Sequence, residues 1–396
     1  MKRVLHLIPS VGRQSYGLGT VVLNLVGNQR PLLDSVHIWS TDSEDEIAWA
    51  TDSTGLPQGV IKGFPAKEAF GFGYSLPMRH EISGHKPAEF DVVHQHGIWT
   101  GISLITSQWR KITGLPTVVT PHGALDQWAL KKSSWKKHIA SFLYEYDNLQ
   151  TSCLHALSAR EAESFRSYGL NSPIAVIPNG ISESWIRAKT DPTSFRHKFG
   201  IDLDARILLF LGRITPKKGL PLLLRSMAEL RNELNGWRLV IAGADEFGHQ
   251  REVNSLVSEL QIQDCVQIIG SVFDQDKRNA FSAASLFVLP SYSEGSPMVV
   301  LEALGAGVPV IATQASPWEE LVTKNCGWWP PIDEAALVDA LGEALAKNEF
   351  ELEIMGAAGK GLVQDNYLWT EIAQKTVQLY EWLMSIGPMP EFVIRG

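Results

Sequence analysis

The sequence has 396 residues, enough for two domains of ordinary size, and its 44% of hydrophobic and 20% of charged residues are typical of a soluble globular protein. The formal net charge of -8 argues against nonspecific nucleic-acid binding across the whole surface, although it leaves room for a local basic patch. Cys153, Cys265 and Cys326 are far apart in sequence, so they predict neither a metal site nor a disulfide framework. We expect them to be small buried side chains in a reducing compartment.

No stretch of the sequence predicts membrane insertion. The apolar run that follows Arg3 ends before Pro9 and is too short for a signal peptide. No uninterrupted apolar run reaches the length of a membrane span. We therefore expect a cytoplasmic protein, or one that lies on the cytosolic face of the inner membrane.

The first half of the chain predicts strands that alternate with helices. The strands are predicted at residues 4–8, 35–40, 91–94, 118–120, 155–157 and 175–177. Gly12, Gly17 and Gly19 are expected in a loop before a helix at residues 20–26, where glycines let the backbone approach a phosphate. Because the loop lacks the Gly-x-Gly-x-x-Gly of dinucleotide folds, an ordinary turn is an equally good interpretation. Residues 41–86 are rich in turn residues and predict no clear elements.

Two histidines are predicted at the carboxyl ends of strands, where open α/β sheets bind ligands. They are His96 and His122, and each is followed by glycine. The alternative for a single histidine is an ordinary hydrogen-bonded residue, but the repeated placement favours a site. Both histidines are therefore candidate site residues.

A basic stretch with interleaved aromatic residues follows at residues 126–150. Its lysines are Lys131, Lys132, Lys136 and Lys137. An amphipathic basic helix in an acidic protein indicates contact with an anionic membrane surface. A solvated helix face whose aromatic residues pack on the domain is an equally good interpretation.

The second half of the chain predicts a second set of alternating strands and helices. The strands are predicted at residues 207–211, 238–242, 266–269, 286–289 and 308–312, and the later helices at residues 333–346, 349–361 and 369–384. The polar residues 182–205 are typical of a linker. This pattern predicts an α/β fold with two doubly wound domains.

Two loops of the second half carry residues suited to a diphosphate. Arg213 and Lys218 follow the strand at 207–211. The planar guanidinium of Arg213 can bind two phosphate oxygens at once, and the ammonium group of Lys218 can act as a compact point charge. After the strand at 286–289, Ser296 is predicted to cap a helix that begins at Pro297 and stops at Gly305 or Gly307. Free N–H groups at residues 294–298 would suit an anion.

These motifs resemble those of one family. Gly-Arg-x4-Lys-Gly at residues 212–219 and Glu294-x7-Glu302 resemble the donor-binding motifs of retaining nucleotide-sugar glycosyltransferases of the family-4 type (glycosyl transferases group 1). Thr-Pro-His-Gly at residues 120–123 is similar to the acceptor-domain motif, and this resemblance favours His122 over His96 as a site residue. Residues 317–321 and 326–329 resemble the bacterial surface-polysaccharide branch, where we expect packing roles.

The resemblance implies the GT-B architecture, in which two Rossmann-like domains face each other across a cleft. The implied acceptor domain spans residues 1–181 together with a C-terminal helix at 369–385. Residues 182–205 would form the linker, and residues 206–368 would form the nucleotide-sugar donor domain.

The resemblance also implies roles for individual residues. Arg213 and Lys218 would take the leaving-group charge, and His122 would line the opposite wall. Glu294 would bind hydroxyls of the sugar, and Glu302 those of the ribose. The remaining donor-binding residues would be Gly17 and Gly19 near the diphosphate, Gly295, Ser296, Pro297 and Met298 along the sugar and diphosphate, and Gly270 and Val272 near the base.

The resulting functional prediction is transfer of a hexose-type sugar, with retained stereochemistry, from a UDP-sugar or GDP-sugar to a glycan or lipid-linked oligosaccharide. No metal or other cofactor is expected, since the two cations would neutralise the diphosphate. The alternatives are a nucleotide-sugar epimerase or a sugar phosphorylase with the same architecture, and a non-catalytic sugar-binding module. An epimerase would need no acceptor, and a binding module would not need Arg213 and Lys218.

Overall fold

The chain forms two units in the computed structural model, which describes residues 2–66, 73–84, 89–126, 130 and 144–396. Unit 1 comprises Met1–Gly180 together with Trp369–Gly396, and unit 2 comprises Ile181–Leu368. The chain therefore leaves unit 1 after Gly180 and returns to it at Trp369.

Within the described residues, an eight-stranded sheet organises unit 1. Its strands are β1 (Arg3–Leu7), β2 (Ser35–Ser40), β3 (Ile61–Gly63), β4 (Val92–His96), β5 (Thr117–Thr120), β6 (Cys153–Ala156), β7 (Ile174–Val176) and β14 (Val393–Ile394). The strand order is β14-β7-β6-β5-β4-β1-β2-β3, and every neighbouring pair is parallel except β14 with β7. Such parallel strands are buried on both faces, so their polar residues, such as His6 of β1 and His94 and His96 of β4, are buried together with the apolar ones.

Helices connect the strands of unit 1. They are α1 (Tyr16–Gln29), α2 (Glu44–Thr54), α3 (Leu76–Gly84), α4 (Gly101–Thr113), α5 (Tyr146–Leu149), α6 (Ala159–Ser167) and α16 (Trp369–Leu383). The last of these, α16, packs against α1.

Unit 2 contains a six-stranded parallel sheet. Its strands are β8 (Arg206–Leu211), β9 (Trp237–Ala242), β10 (Val266–Gly270), β11 (Leu286–Leu289), β12 (Val310–Ala312) and β13 (Gly327–Trp328), in the order β10-β9-β8-β11-β12-β13. The helices are α7 (Glu183–Ile186), α8 (Pro192–Phe199), α9 (Leu220–Glu229), α10 (His249–Glu259), α11 (Asp274–Ala283), α12 (Met298–Gly305), α13 (Glu320–Thr323), α14 (Glu334–Leu345) and α15 (Glu349–Asn366).

Both sheets reverse their strand order at one point, which is where doubly wound sheets bind ligands. In unit 1 the reversal lies between β1 and β4, and in unit 2 it lies between β8 and β11. The carboxyl ends of β8 and β11 continue directly into the loops that carry the two predicted diphosphate motifs.

The structure corrects several local predictions in unit 1. Gly17 and Gly19 lie in the first turns of α1, and not in the loop after β1. Residues 41–86 contain α2, β3 and α3, which the turn-rich composition concealed.

In unit 2, residues 182–205 are not a linker, because α7 and α8 belong to this unit and Phe195 of α8 is buried in its core. Pro297, and not Ser296, precedes the first residue of α12. No side chain caps this helix, so the predicted serine cap is wrong. The helix predicted at residues 349–361 continues to Asn366 as α15.

Among the described residues, no helix combines the length and the apolar character that crossing a membrane would require. The basic stretch with Lys131, Lys132, Lys136 and Lys137 lies outside the described residues, so its predicted membrane contact stays a prediction.

Candidate functional site

The candidate site of unit 2 lies in the loops that follow β8 and β11. A short 3-10 turn, Pro216–Lys218, ends at Gly219, whose φ is 70°. A Cβ atom at Gly219 would collide with the carbonyl oxygen of Pro290, at the end of β11. Glycine therefore allows the two loops to touch, and this contact brings Lys218 beside Glu294.

Lys218 and Glu294 form a largely buried ion pair. Nζ of Lys218 lies 2.6 Å from Oε1 of Glu294, and the side chains are 15% and 10% exposed. The hydroxyl of Ser291 donates to the same oxygen at 2.6 Å. Burial alone would raise the pKa of Glu294, but the charges of Lys218 and Lys217 and these hydrogen bonds lower it below its ordinary value. Glu294 is therefore an ionised carboxylate.

Glu302 is the second carboxylate of the predicted motif, and it lies in α12. Its Oε1 accepts a hydrogen bond of 2.6 Å from Nζ of Lys277, which belongs to α11. Its Oε2 is buried and has no hydrogen-bond partner among the described residues. Burial raises the pKa of Glu302 against the opposing effect of Lys277. The ring nitrogen of Trp185 donates to the backbone carbonyl of Glu302 at 3.0 Å, which holds α7 against α12.

Lys277 was missed in the sequence. It follows Asp274, Gln275 and Asp276 at the start of α11, where a lysine among acidic residues is typical of an exposed helix face. Only the packing of α11 brings its ammonium group to Glu302.

The backbone before α12 offers three N–H groups. Those of Gly295, Ser296 and Met298 have no hydrogen-bond acceptor among the described residues, and Pro297 has no N–H group. The N–H group of Glu294, which was expected to be free, donates to the carbonyl of Ala315 at 3.1 Å. The predicted anion-binding backbone is therefore reduced to three donors.

Arg213 has a different partner from Lys218. Its Nη1 lies 2.7 Å from Oε1 of Glu246, in the loop after β9, and its side chain is 48% exposed. The structure thus unites Lys218 with Glu294, whereas the exposed guanidinium of Arg213 pairs with another carboxylate.

The residues predicted near the base lie at the end of β10. Gly270 has a φ of 75°, and its carbonyl already accepts from the N–H of Gly243 at 2.8 Å. The side chain of Val272 is buried in the core of unit 2. Any contact of Val272 with a base would therefore involve its backbone. Gly17 and Gly19 belong to unit 1 and are described there as part of α1.

His122 follows β5 of unit 1 in an unusual backbone conformation, with a φ of 53°. The N–H group of Gly123 donates a hydrogen bond of 2.6 Å to the carboxylate of Glu161. The N–H group of Leu157 donates another, of 2.7 Å, to the same carboxylate. Burial raises the pKa of Glu161 to about 7. Glu161 was missed in the sequence, and it holds the loop that carries His122.

His96 and His122, both singled out in the sequence, are hydrogen-bonded to each other, with 3.2 Å between Nδ1 of His96 and Nε2 of His122. His96 is fully buried, and it lies beside His6 and His94. Nitrogen atoms of these three rings lie within 4.8 Å of one another, a spacing that a metal ion could use. Both nitrogens of each ring, however, already have hydrogen-bond partners.

Two family models match the chain. Residues 16–185 match the model described as Glycosyltransferase Family 4, and residues 191–362 match the one described as Glycosyl transferases group 1. The D-inositol 3-phosphate glycosyltransferase of Streptomyces scabiei is 31% identical over 314 residues, which are 75% of this chain and 69% of that protein.

Another relative is the lipopolysaccharide 1,2-N-acetylglucosaminetransferase of Salmonella typhimurium, which is 29% identical over 222 residues. These residues are 53% of this chain and 57% of that protein, so the match spans just over half of the relative. Among solved structures, the Anabaena protein HepE in complex with UDP and glucose matches with a TM-score of 0.77 at 16% identity, covering 96% of this chain and 100% of that one. This likeness concerns the fold, and it confirms the prediction of two Rossmann-like α/β domains.

Proposed function

Since the chain belongs to the family-4 type of group 1 glycosyltransferases, we propose that it transfers a hexose-type sugar from a nucleoside diphosphate sugar to a glycan or lipid-linked acceptor. The observation that carries the proposal is the buried Oε2 of Glu302, which has no hydrogen-bond partner among the residues that the structure describes. A buried acceptor without a donor costs about 1–3 kcal/mol, and a ribose hydroxyl would supply the missing hydrogen.

The same loop region supports binding of the diphosphate. Gly295, Ser296 and Met298 offer N–H groups without an acceptor in the described part of the chain, at the start of α12, where the helix dipole favours an anion. Lys218 adds a positive charge beside them through its contact with Glu294. We propose that Arg213 exchanges Glu246 for a phosphate oxygen, since an exposed ion pair is readily replaced.

Bond cleavage places negative charge on the β-phosphate of the leaving group. Arg213 and Lys218 would stabilise this charge without a metal ion, and preorganised cations are effective because they need no rearrangement during the reaction. Glu294 would bind a sugar hydroxyl while it orients Lys218. We propose retained stereochemistry, with the donor phosphate accepting the proton of the attacking hydroxyl.

The relative from Salmonella typhimurium acts on lipopolysaccharide, by its name, and this supports a role in bacterial surface-polysaccharide synthesis. HepE was solved with UDP, which supports UDP-sugars as the first donors to test. A position at the cytosolic face of the inner membrane, through the basic stretch, belongs to the same proposal.

The test begins with binding. We expect a UDP-sugar or GDP-sugar to raise the melting temperature of the protein, and that donor to release nucleoside diphosphate only when a lipid-linked or glycan acceptor is present. Turnover of the nucleotide sugar without an acceptor would instead identify an epimerase. If no nucleotide sugar stabilises the protein at millimolar concentration, the proposal is wrong.

Glu302→Gln then tests the ribose contact. The amide keeps one acceptor but loses the charge, and hydrogen bonds to charged groups contribute about 1.5–3 kcal/mol, so we expect binding of the nucleotide to weaken by roughly 10- to 150-fold. Glu183→Gln is the matched control, since Glu183 is exposed and forms an ion pair with Arg187, one turn away in sequence. Equal affinities for the two variants would contradict the assignment of Glu302.

A further inference from the structure

A continuous chain of hydrogen bonds crosses the interior of unit 1. Its members, here called the histidine chain, are in order His122, His96, His6, Gln29, Tyr380, His94, Thr120, His155 and the carbonyl group of Ile177. Successive polar atoms lie between 2.6 and 3.4 Å apart. Apart from the half-buried His122, every side chain in it is buried.

The five imidazole rings of the histidine chain are neutral. Burial lowers the pKa of His6 and His155 to about 4 and that of His122 to about 3. Burial and the neighbouring rings together lower the pKa of His94 and His96 well below the ordinary value. A neutral imidazole has one donor nitrogen and one acceptor nitrogen, so each ring can pass on a hydrogen bond in only one direction.

The direction of the hydrogen bonds along the histidine chain is set at its last member, Ile177, because a carbonyl oxygen can only accept a hydrogen bond. His155 must therefore carry its proton on Nε2, which leaves Nδ1 to accept from the hydroxyl of Thr120. The oxygen of Thr120 then accepts from Nε2–H of His94. Since Nδ1 of His94 has no proton, it accepts from the hydroxyl of Tyr380.

The same logic continues to the other end. With its proton donated, the oxygen of Tyr380 can only accept, so the NH2 group of Gln29 faces it. The amide oxygen of Gln29 accordingly accepts from Nε2–H of His6, and Nδ1 of His6 accepts from Nε2–H of His96. His96 finally accepts at Nδ1 from Nε2–H of His122.

We propose that the histidine chain fixes His122 as the Nε2–H tautomer and thereby makes its Nδ1 a dedicated hydrogen-bond acceptor. This nitrogen has no partner among the residues that the structure describes. It matches a ligand that donates a hydrogen, such as a hydroxyl group, and it repels an ionised phosphate oxygen.

Tyr380 and Thr120 are positioning residues in this proposal, and Gln29 is the member at which the direction can reverse. If the amide group of Gln29 rotated by half a turn, its NH2 group would face His6. The rings of His6, His96 and His122 would then each carry their proton on Nδ1 instead of Nε2. The hydroxyl of Tyr380 prevents this reversal, because it offers Gln29 only an acceptor.

The test is tautomer assignment by long-range proton–nitrogen NMR on ligand-free protein with labelled histidine at neutral pH. We expect His122 to be the Nε2–H tautomer in the wild-type protein. Tyr380→Phe and Thr120→Val should convert it to a mixture of both tautomers, whereas Thr120→Ser should restore the single form. The matched control is Thr376→Val, since the buried hydroxyl of Thr376 donates to the carbonyl of Ile372 in its own helix, α16, and has no other partner among the described residues.

Several results would overturn the proposal. They are an Nδ1–H tautomer of His122 in the wild-type protein, a single Nε2–H tautomer of His122 in both Tyr380→Phe and Thr120→Val, and a stoichiometric metal ion bound by the histidines. Because no ligand is present, none of these results depends on the proposed function.

Discussion

The environments of Lys218 and Arg213 differ, although both follow β8. Lys218 and Glu294 are largely buried, whereas Arg213 is half-exposed beside Glu246. Removing one member of a buried ion pair leaves an uncompensated charge and costs about 3–5 kcal/mol. Exposed pairs contribute only about 0.2–1 kcal/mol, because water and salt screen them. A substitution of Lys218 should therefore lower both catalysis and stability, whereas a substitution of Arg213 should lower catalysis with little effect on stability.

Methionine substitutions test this difference. We expect Lys218→Met to lower the unfolding free energy of unit 2 by about 3 kcal/mol. Arg213→Met should lower it by less than about 1 kcal/mol. Each should reduce kcat/KM by roughly 100- to 1,000-fold, the usual effect of losing one group that stabilises transition-state charge. Urea unfolding and nucleoside diphosphate release provide the two measurements.

Arg231→Met is the control, since Arg231 forms an exposed ion pair with Asp264 and should affect neither quantity. Equal destabilisation by the Lys218 and Arg213 variants would contradict the structural assignment. Near-normal turnover of either variant would contradict its role with the leaving group.

At the scale of elements, apolar composition was sufficient to predict the central strands. Ser35–Ser40 and Leu286–Leu289 were predicted with the bounds that β2 and β11 have in the structure. The residues Leu-Phe-Val-Leu of β11 form a continuous apolar run, as expected of a strand buried on both faces, whereas β2 mixes the apolar Val36, Ile38 and Trp39 with polar residues. The helix α2 was missed because it begins with Glu44, Asp45 and Glu46 and buries only Ala50 and Thr51.

The candidate site was only partly predictable, for a related reason. Glu294, Glu302 and Lys218 were found because each lies in a loop or helix next to a recognisable strand. Lys277 and Glu161 could not be found, since Lys277 binds Glu302 25 residues away and Glu161 binds the loop of His122 through Gly123, 38 residues away, so that only tertiary packing unites them. Gly17 and Gly19 were expected in a loop because glycine is a poor helix former, yet α1 includes both.

The packing of α15 supports α12, the helix that carries Glu302. A Cβ atom at Gly356 of α15 would overlap the carbonyl oxygen of Gly307, just after α12. A Cβ atom at Gly359 would lie 2.7 Å from a methyl group of Leu304. Glycine at these positions therefore allows close helix packing, and this close contact fixes the end of α12.

Alanine scanning of glycines within α15 checks this contact. We expect Gly356→Ala to destabilise unit 2 by about 1–3 kcal/mol, since the backbone must shift to admit the methyl group. A Cβ atom at Gly361, in the same helix, would meet no described atom within 4 Å apart from the adjoining backbone of α15, so Gly361→Ala should be neutral or stabilising by up to about 1 kcal/mol. Chemical denaturation measures both changes. If Gly361→Ala destabilised unit 2 as much as Gly356→Ala, helix propensity would not determine the change in stability at Gly361.

At the scale of the whole molecule, the two units differ in how the chain builds them. Unit 2 is one continuous segment, Ile181–Leu368, and it contains Lys218, Lys277 and both carboxylates of the candidate site. Unit 1 is discontinuous. It needs the C-terminal segment, because α16 packs on α1, β14 pairs with β7, and Tyr380 completes the histidine chain.

This difference predicts how fragments of the chain behave. The fragment 181–368 should fold alone and bind UDP within about threefold of the full chain, since all the groups proposed to hold the nucleotide belong to it. The fragment 1–180 should not fold, because its loss of Tyr380 leaves the buried Nδ1 of His94 without a donor, and unpaired buried polar groups cost about 1–3 kcal/mol each. The loss of α16 would also expose the apolar face of α1 to water.

Adding residues 369–396 through a short flexible linker after Gly180 should restore the folding of unit 1. Circular dichroism melting curves and the dispersion of NMR spectra would report folding, and calorimetry would report UDP affinity. Cooperative unfolding of fragment 1–180 by itself would contradict the role of α16. A folded fragment 181–368 that does not bind UDP would instead show that unit 2 alone does not hold the nucleotide.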